Sequence, residues 1–151
     1  MSKFQRPWRL PGSRKGTSLI EFSFLVPWYI FLFVGAWDFG FYSYSLIALQ
    51  DGTRTAAVNA SQNSTLAADS TTACTYVLAA LQGLPNFGSA VTTCTAAPLT
   101  VTATYGATAG PDGGPQVTVT STLVTPQLFA VPGLAPGQTT ISRTVTMRVR
   151  G

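Results

Sequence analysis

Arg14-Lys15-Gly16-Thr17-Ser18-Leu19-Ile20-Glu21-Phe22-Ser23-Phe24-Leu25-Val26-Pro27 joins two chemistries. A basic, polar leader stops at a glycine. An apolar, helix-like run starts at once, yet Glu21 sits one turn into it. A carboxylate is costly in lipid, and ionisable residues in such a segment are functional candidates by default. The tolerance of Glu21 is therefore the central question of the chain.

The charges N-terminal to this junction are all of one sign. Lys3, Arg6, Arg9, Arg14 and Lys15 precede residue 17 with no acidic residue among them. The rest of the chain has four arginines against five acidic residues, so the overall charge of +4 belongs to the leader. A nucleic-acid-binding protein would spread its basic residues over a folded surface. Here they abut an apolar run, the positive-inside pattern of a membrane segment with a cytoplasmic N-terminus. With 46% hydrophobic and 9% charged residues, the chain is too apolar for disorder and too poor in charge for an ordinary cytosolic protein.

Going outward, the uncharged run Phe22–Trp37 spans 16 residues. As helix it is about 24 Å long, short of the ~30 Å hydrocarbon core. Adding Thr17–Glu21 and Phe39–Tyr44 makes it long enough, with Trp28, Tyr29, Trp37, Tyr42 and Tyr44 of interfacial character. The pattern predicts one helix from Ser18 to about Ala60, interrupted at Pro27, which removes a backbone hydrogen bond and invites a kink. Beyond Leu49 the helix turns polar and alanine-rich, and Ser61–Thr65 reads as a stop or turn.

A second, shorter helix fits Thr71–Leu81, capped by Asp69 or Ser70 and ended by Gly83 and Pro85. Cys74, Val77, Leu78 and Leu81 make its apolar face. The last third alternates as strands. Leu99, Val101, Ala103 and Tyr105 face one way, as do Val117, Val119, Ser121 and Leu123, and then Ile141, Val145, Met147 and Val149, with threonines on the opposite face. Arg143 breaks the last alternation, and a bulge or strand end would explain it. Pro111-Asp112-Gly113-Gly114-Pro115 dictates a loop. Segment 126–138 contains Leu128, Phe129, Val131 and Leu134. It is expected to pack over the sheet, the alternative being an exposed binding patch.

The fold expected is α+β: a basic leader (1–16), a transmembrane and assembly helix (17–60), and an extracytoplasmic domain (61–151) with a short helix and an antiparallel sheet of about three or more strands. In an exported domain Cys74 and Cys94 are expected to pair, the alternative being two buried free thiols.

The chain has no histidine, so Ser–His and Cys–His base systems are unavailable. Two cysteines without histidine make a structural zinc site implausible. Glu21 and Asp38 lie 17 residues apart and point roughly 100° apart on a helix, so they are no paired acid and base. No phosphate-cradling glycine motif is present. Catalysis, a metal, a cofactor, a small-molecule substrate and a nucleic-acid partner are not expected.

Cleavage after Gly16 would give Thr17 a positive α-amino group, four residues from Glu21 on the same helix face. Amine and carboxylate could then neutralise each other, within one chain or between neighbouring subunits. An unpaired Glu21 held at the membrane interface is the alternative. Further along, Asp38, Tyr42 and Ser45 form a polar stripe. Ala36 and Gly40 form a small-xxx-small pair that lets another helix approach. Both features suit packing against other helices, unless the stripe faces the protein's own outer domain.

Gly16 followed by Glu21, after a basic leader and before an apolar helix, resembles a type IV prepilin signal. Glu21-Phe22-Ser23-Phe24-Leu25-Val26-Pro27 is similar to the TadE-like proteins of tight-adherence (Tad, Flp-type) pili. Asp38-Phe39-Gly40 and Ala48-Leu49-Gln50-Asp51-Gly52-Thr53-Arg54-Thr55-Ala56-Ala57 extend the resemblance over about residues 14–60. Asp38 stands where glutamate is more usual, and Gly52-Thr53 where alanines are common.

The resemblance implies a pilin-like fold and a minor pilin or pseudopilin, cut between Gly16 and Thr17 by a prepilin peptidase. Glu21, Pro27, Ala36, Asp38 and Gly40 then fall in its assembly helix. The implied partners are the inner membrane, the peptidase, other pilins and pilus assembly proteins. Two other functions fit less of the sequence. One is a secreted adhesin-like domain released by an ordinary signal peptide at Val34-Gly35-Ala36. The other is an uncleaved membrane-anchored accessory protein.

Overall fold

The structure, a computed structural model, describes residues 17–84, 87, 91–108, 110–125 and 139–150. The leader with Gly16, Pro85 and segment 126–138 lie outside the described residues. The chain divides into two compact units, Met1–Ala36 and Trp37–Gly151.

Helix α1 runs from Thr17 to Ala60 and passes through Pro27 without a break. Proline has no N–H, so the carbonyl of Ser23 loses its usual donor four residues on. The Ser23 hydroxyl itself donates to the Leu19 carbonyl at 2.8 Å. From residue 45 onward the helix has a buried stripe: Ser45, Leu49, Gly52, Thr53, Ala56, Ala57 and Ala60. Their three- and four-residue spacing lines one helix face. The small residues toward the end bring the helix axis close to what it covers.

The expected stop after α1 is a turn at Ser61–Gln62. Asn63 then caps a single-turn helix, α2 (Ser64–Ala67), by accepting from the Leu66 N–H. Helix α3 (Ser70–Leu81) follows. The Asp69 carboxylate caps it, accepting from the N–H groups of Thr71 at 2.9 Å and Thr72 at 3.2 Å. Ala73, Cys74, Val77 and Leu81 are its buried face.

Four strands form one antiparallel sheet in sequential order: β1 (Thr95–Ala96), β2 (Leu99–Gly106), β3 (Gln116–Thr125) and β4 (Thr139–Arg148). The register sets Leu99 opposite Leu123, Val101 opposite Ser121, Val119 opposite Val145 and Leu123 opposite Ile141. Every odd-numbered residue of these three strands thus lies on one face. That face carries the core with α1 and α3: Leu49, Val77, Leu81, Leu99, Val117, Val119 and Leu123 are all essentially sealed from solvent. The even face is hydroxylic. Thr118 pairs with Thr146, Thr120 with Thr144 and Thr122 with Ser142 at 3.1–3.3 Å.

Arg143 departs from expectation. The β3–β4 ladder is regular from Gln116↔Arg148 to Thr125↔Thr139, with Ser121 opposite Arg143 and no bulge. Arg143 stays in register on the core face and is half-buried. Its long methylene stem can lie on apolar surface, and its Nε is buried. The loop between β2 and β3 turns at Gly113, whose φ of 71° suits glycine. Cys74 and Cys94 form a disulfide with Cα atoms 5.8 Å apart, tying α3 to the residue that precedes β1.

Candidate functional site

The surface of α1 in the first unit, as far as it is described, is apolar and open. Leu19, Ile20, Phe22, Phe24, Trp28, Tyr29 and Phe33 are all exposed, Phe24 to 76% and Trp28 to 67%. The Trp28 and Phe31 rings meet edge to face at 6.5 Å. A monomeric soluble protein rarely leaves so large an apolar surface in water. Lipid or the apolar faces of other helices would cover such a surface. Among the described residues α1 is the one helix long and apolar enough to cross a membrane.

Glu21 is exposed on this surface. Thr17 opens the helix four residues earlier. Arg148 and Asp112 form an ion pair, 3.5 Å apart and open to solvent. An exposed pair of this kind adds little stability.

Ala36 and Gly40 are both exposed. Nothing lies within 4 Å of where a Cβ would stand on Gly40. The polar stripe behaves differently along its length. Asp38 and Tyr42 are half-buried, and Tyr42 packs against the domain core. Ser45 is fully buried, its hydroxyl donating to the Phe41 carbonyl at 2.9 Å. At Tyr42 and Ser45 the stripe thus faces the protein's own domain.

Two features escaped the sequence reading. A Cβ on Gly52 would stand 2.9 Å from the Ala80 Cβ and 3.2 Å from the Val77 Cα, so glycine is what admits α3 against α1. Next to it, Thr53 donates to the Leu49 carbonyl at 2.6 Å and shares a hydrogen bond with the Ser121 hydroxyl of β3. Gly52-Thr53 is thus where α1 meets both the second helix and the sheet. A glycine in the interior of a long helical pattern was the available signal.

An open apolar helix that continues into the core of a small α+β domain defines a class: a domain carried on a candidate single-pass membrane anchor. More particularly, residues 16–58 match the model of the family described as TadE-like protein. That segment covers α1 almost from end to end, including Glu21, Pro27, Ala36, Asp38, Gly40 and the Gly52-Thr53 contact. No curated protein and no solved structure matches the chain.

Proposed function

We propose that the chain is a minor pilin or pseudopilin that supports assembly of a tight-adherence pilus through its N-terminal helix. The observation that carries this reading is the coincidence of the TadE-like segment with the exposed apolar surface of α1. A prepilin peptidase in the inner membrane cuts between Gly16 and Thr17. The new α-amino group of Thr17 then offsets Glu21, in the same chain or across to a neighbouring subunit. The helix surface around Ala36 and Gly40 packs against other pilins, and the domain is presented outside the cytoplasm. The role is structural, not catalytic.

The test is the N-terminal residue of protein extracted from membranes, read by mass spectrometry. Thr17 is expected. Trp37 would mark an ordinary signal peptide and a released domain, and Met1 an uncleaved anchor. Either would overturn the pilin reading. Gly16→Leu should block the cut, because a bulky side chain crowds a protease site adapted to glycine.

A further inference from the structure

The two edges of the sheet are finished differently. On the β1 side the outward backbone groups find partners. The N–H of Val101 donates to the Cys94 carbonyl at 2.9 Å, and that of Ala103 to the Ser70 hydroxyl at 3.0 Å. Beyond its two residues of β1, this edge is closed off by the disulfide segment and the start of α3.

Among the described residues, the outer side of β4 finds no such partners along the strand. The Val149 N–H donates to the Pro115 carbonyl at 3.0 Å, so odd residues of β4 direct their backbone groups to β3. The Thr139 carbonyl, which accepts from Thr125, agrees with this parity. The even residues Thr140, Ser142, Thr144, Thr146 and Arg148 therefore direct N–H and C=O away from the sheet, and all five are exposed. Only past the strand end does a partner appear among the described residues, where the Arg150 N–H donates to the Ser61 carbonyl at 2.8 Å. A straight ten-residue edge is a ready template for another strand, and proteins usually blunt such edges with bulges, prolines or short strands. The ladder here has no bulge, and Thr139–Arg148 has no proline.

A second, independent observation lies on the same strand. The Nε of Arg143 is buried with no hydrogen-bond partner. A buried donor left unmade costs about 1–3 kcal/mol, more when charged, so its retention calls for a partner. Nothing in the described sheet supplies one, since none of β1 to β4 contains an aspartate or glutamate. A strand added beside β4 would place one of its side chains next to Arg143 on the same face.

We propose that the outer edge of β4, from Thr140 to Arg148, takes up an extended segment of another protein as a fifth strand, with a carboxylate of that segment paired to the Arg143 guanidinium. Main-chain hydrogen bonds supply the affinity of such strand addition, and alternate side chains its specificity. The occupant is not a second copy through its own strands. Pairing β4 with β4 would bring basic residues together, and none of the described strands carries the needed acid. The surface lies wholly in the second unit and does not depend on the fate of the leader.

The experiment uses the full chain in detergent micelles and two synthetic nine-residue peptides of alternating valine and threonine. One has glutamate at its centre, the other glutamine. Amide hydrogen exchange is followed by NMR. The glutamate peptide should slow exchange at Thr140, Ser142, Thr144 and Thr146, and should bind roughly tenfold more tightly than the glutamine peptide, as a charged hydrogen bond allows. Arg143→Gln should erase that preference, and Arg143→Lys should keep part of it. Thr144→Pro deletes an outward N–H without touching the β3 ladder and should abolish protection by both peptides. No protection at these amides would overturn the proposal. Equal binding of the two peptides would overturn the carboxylate. The same protection in concentrated chain without peptide would replace the foreign segment with a second copy.

Discussion

Thr53 on α1 and Ser121 on β3 meet through their hydroxyls inside the core, 68 residues apart in the chain. Both side chains are fully buried. The bond fixes the rotation and height of the helix on the sheet, because neither hydroxyl has water as an alternative partner.

The two sides of this bond are not equivalent, because Thr53 has a second partner in the Leu49 carbonyl. Thr53→Val keeps the shape but leaves the Ser121 hydroxyl without its α1 partner, whereas after Ser121→Ala the Thr53 hydroxyl still donates to the Leu49 carbonyl. Thr53→Val should cost about 1–3 kcal/mol of domain stability, and Ser121→Ala, which strands nothing, about 0.5–1.5 kcal/mol. The double variant should cost clearly less than the sum, since both partners are then gone together. Denaturant unfolding of the four proteins closes the cycle. Additive losses would mean that the two hydroxyls are not coupled.

Gly52→Ala sets two effects against each other. Alanine favours a helix interior by about 1 kcal/mol over glycine, but its methyl would press on Ala80 and on the backbone at Val77. Overpacking a tight core costs about 1–3 kcal/mol, so net destabilisation is expected. Ala80→Gly distinguishes this cause from others. Alone it should destabilise α3, whereas in the Gly52→Ala background it should restore stability by opening the space. Thermal unfolding of both single variants and the double variant reads the change of sign.

The cap of α3 carries a pH dependence. The Thr72 hydroxyl first, then the N–H groups of Thr72 and Thr71, hold the Asp69 carboxyl below its usual range. A carboxylate depressed in the folded state stabilises the fold above its unfolded pKa, and the contribution is lost as pH falls through the folded value. Asp69→Ala should therefore unfold more easily than wild type at pH 7, with the gap closing in acid. Asp69→Asn retains a capping acceptor and should flatten the acid limb while staying closer to wild type at neutral pH. Melting temperatures across this range check both.

Much of this fold could be read in the sequence where the signal was local. The apolar run gave α1 to within a residue at its start, and Asp69 marked α3. Alternating valine and threonine located β2, β3 and β4, and the proline–glycine cluster placed the loop before β3. The pairing of Cys74 with Cys94 followed from expected export. β1 was missed because two residues cannot show an alternation. Arg143 was misjudged because alternation treats any charge as outward, whereas an arginine stem can line a core. Gly52 and Thr53 stayed opaque because what they touch is far along the chain. The function of Glu21 is harder still, since its proposed partner is an amine that only cleavage creates.

That carboxylate gives the sharpest test of the helix. In insertion scales an acidic residue at the centre of a membrane helix costs about 2.5–3.5 kcal/mol. Near the end, as here, the cost is smaller but still needs an offset. If the Thr17 amine supplies it, Glu21→Ala leaves a positive charge without its partner. Insertion should survive, because the segment becomes more apolar. Cleavage should largely survive, because the cut lies at Gly16, five residues away. Association with other pilin helices should fail, and piliation with it. Glu21→Gln should fail in the same way, since it keeps shape and hydrogen bonding but not charge. Crosslinking to pilins in membrane fractions, with a pilus count, reads all of this. If both variants crosslink and piliate as wild type does, Glu21 is a tolerated interfacial residue and the charge pairing has no part in assembly.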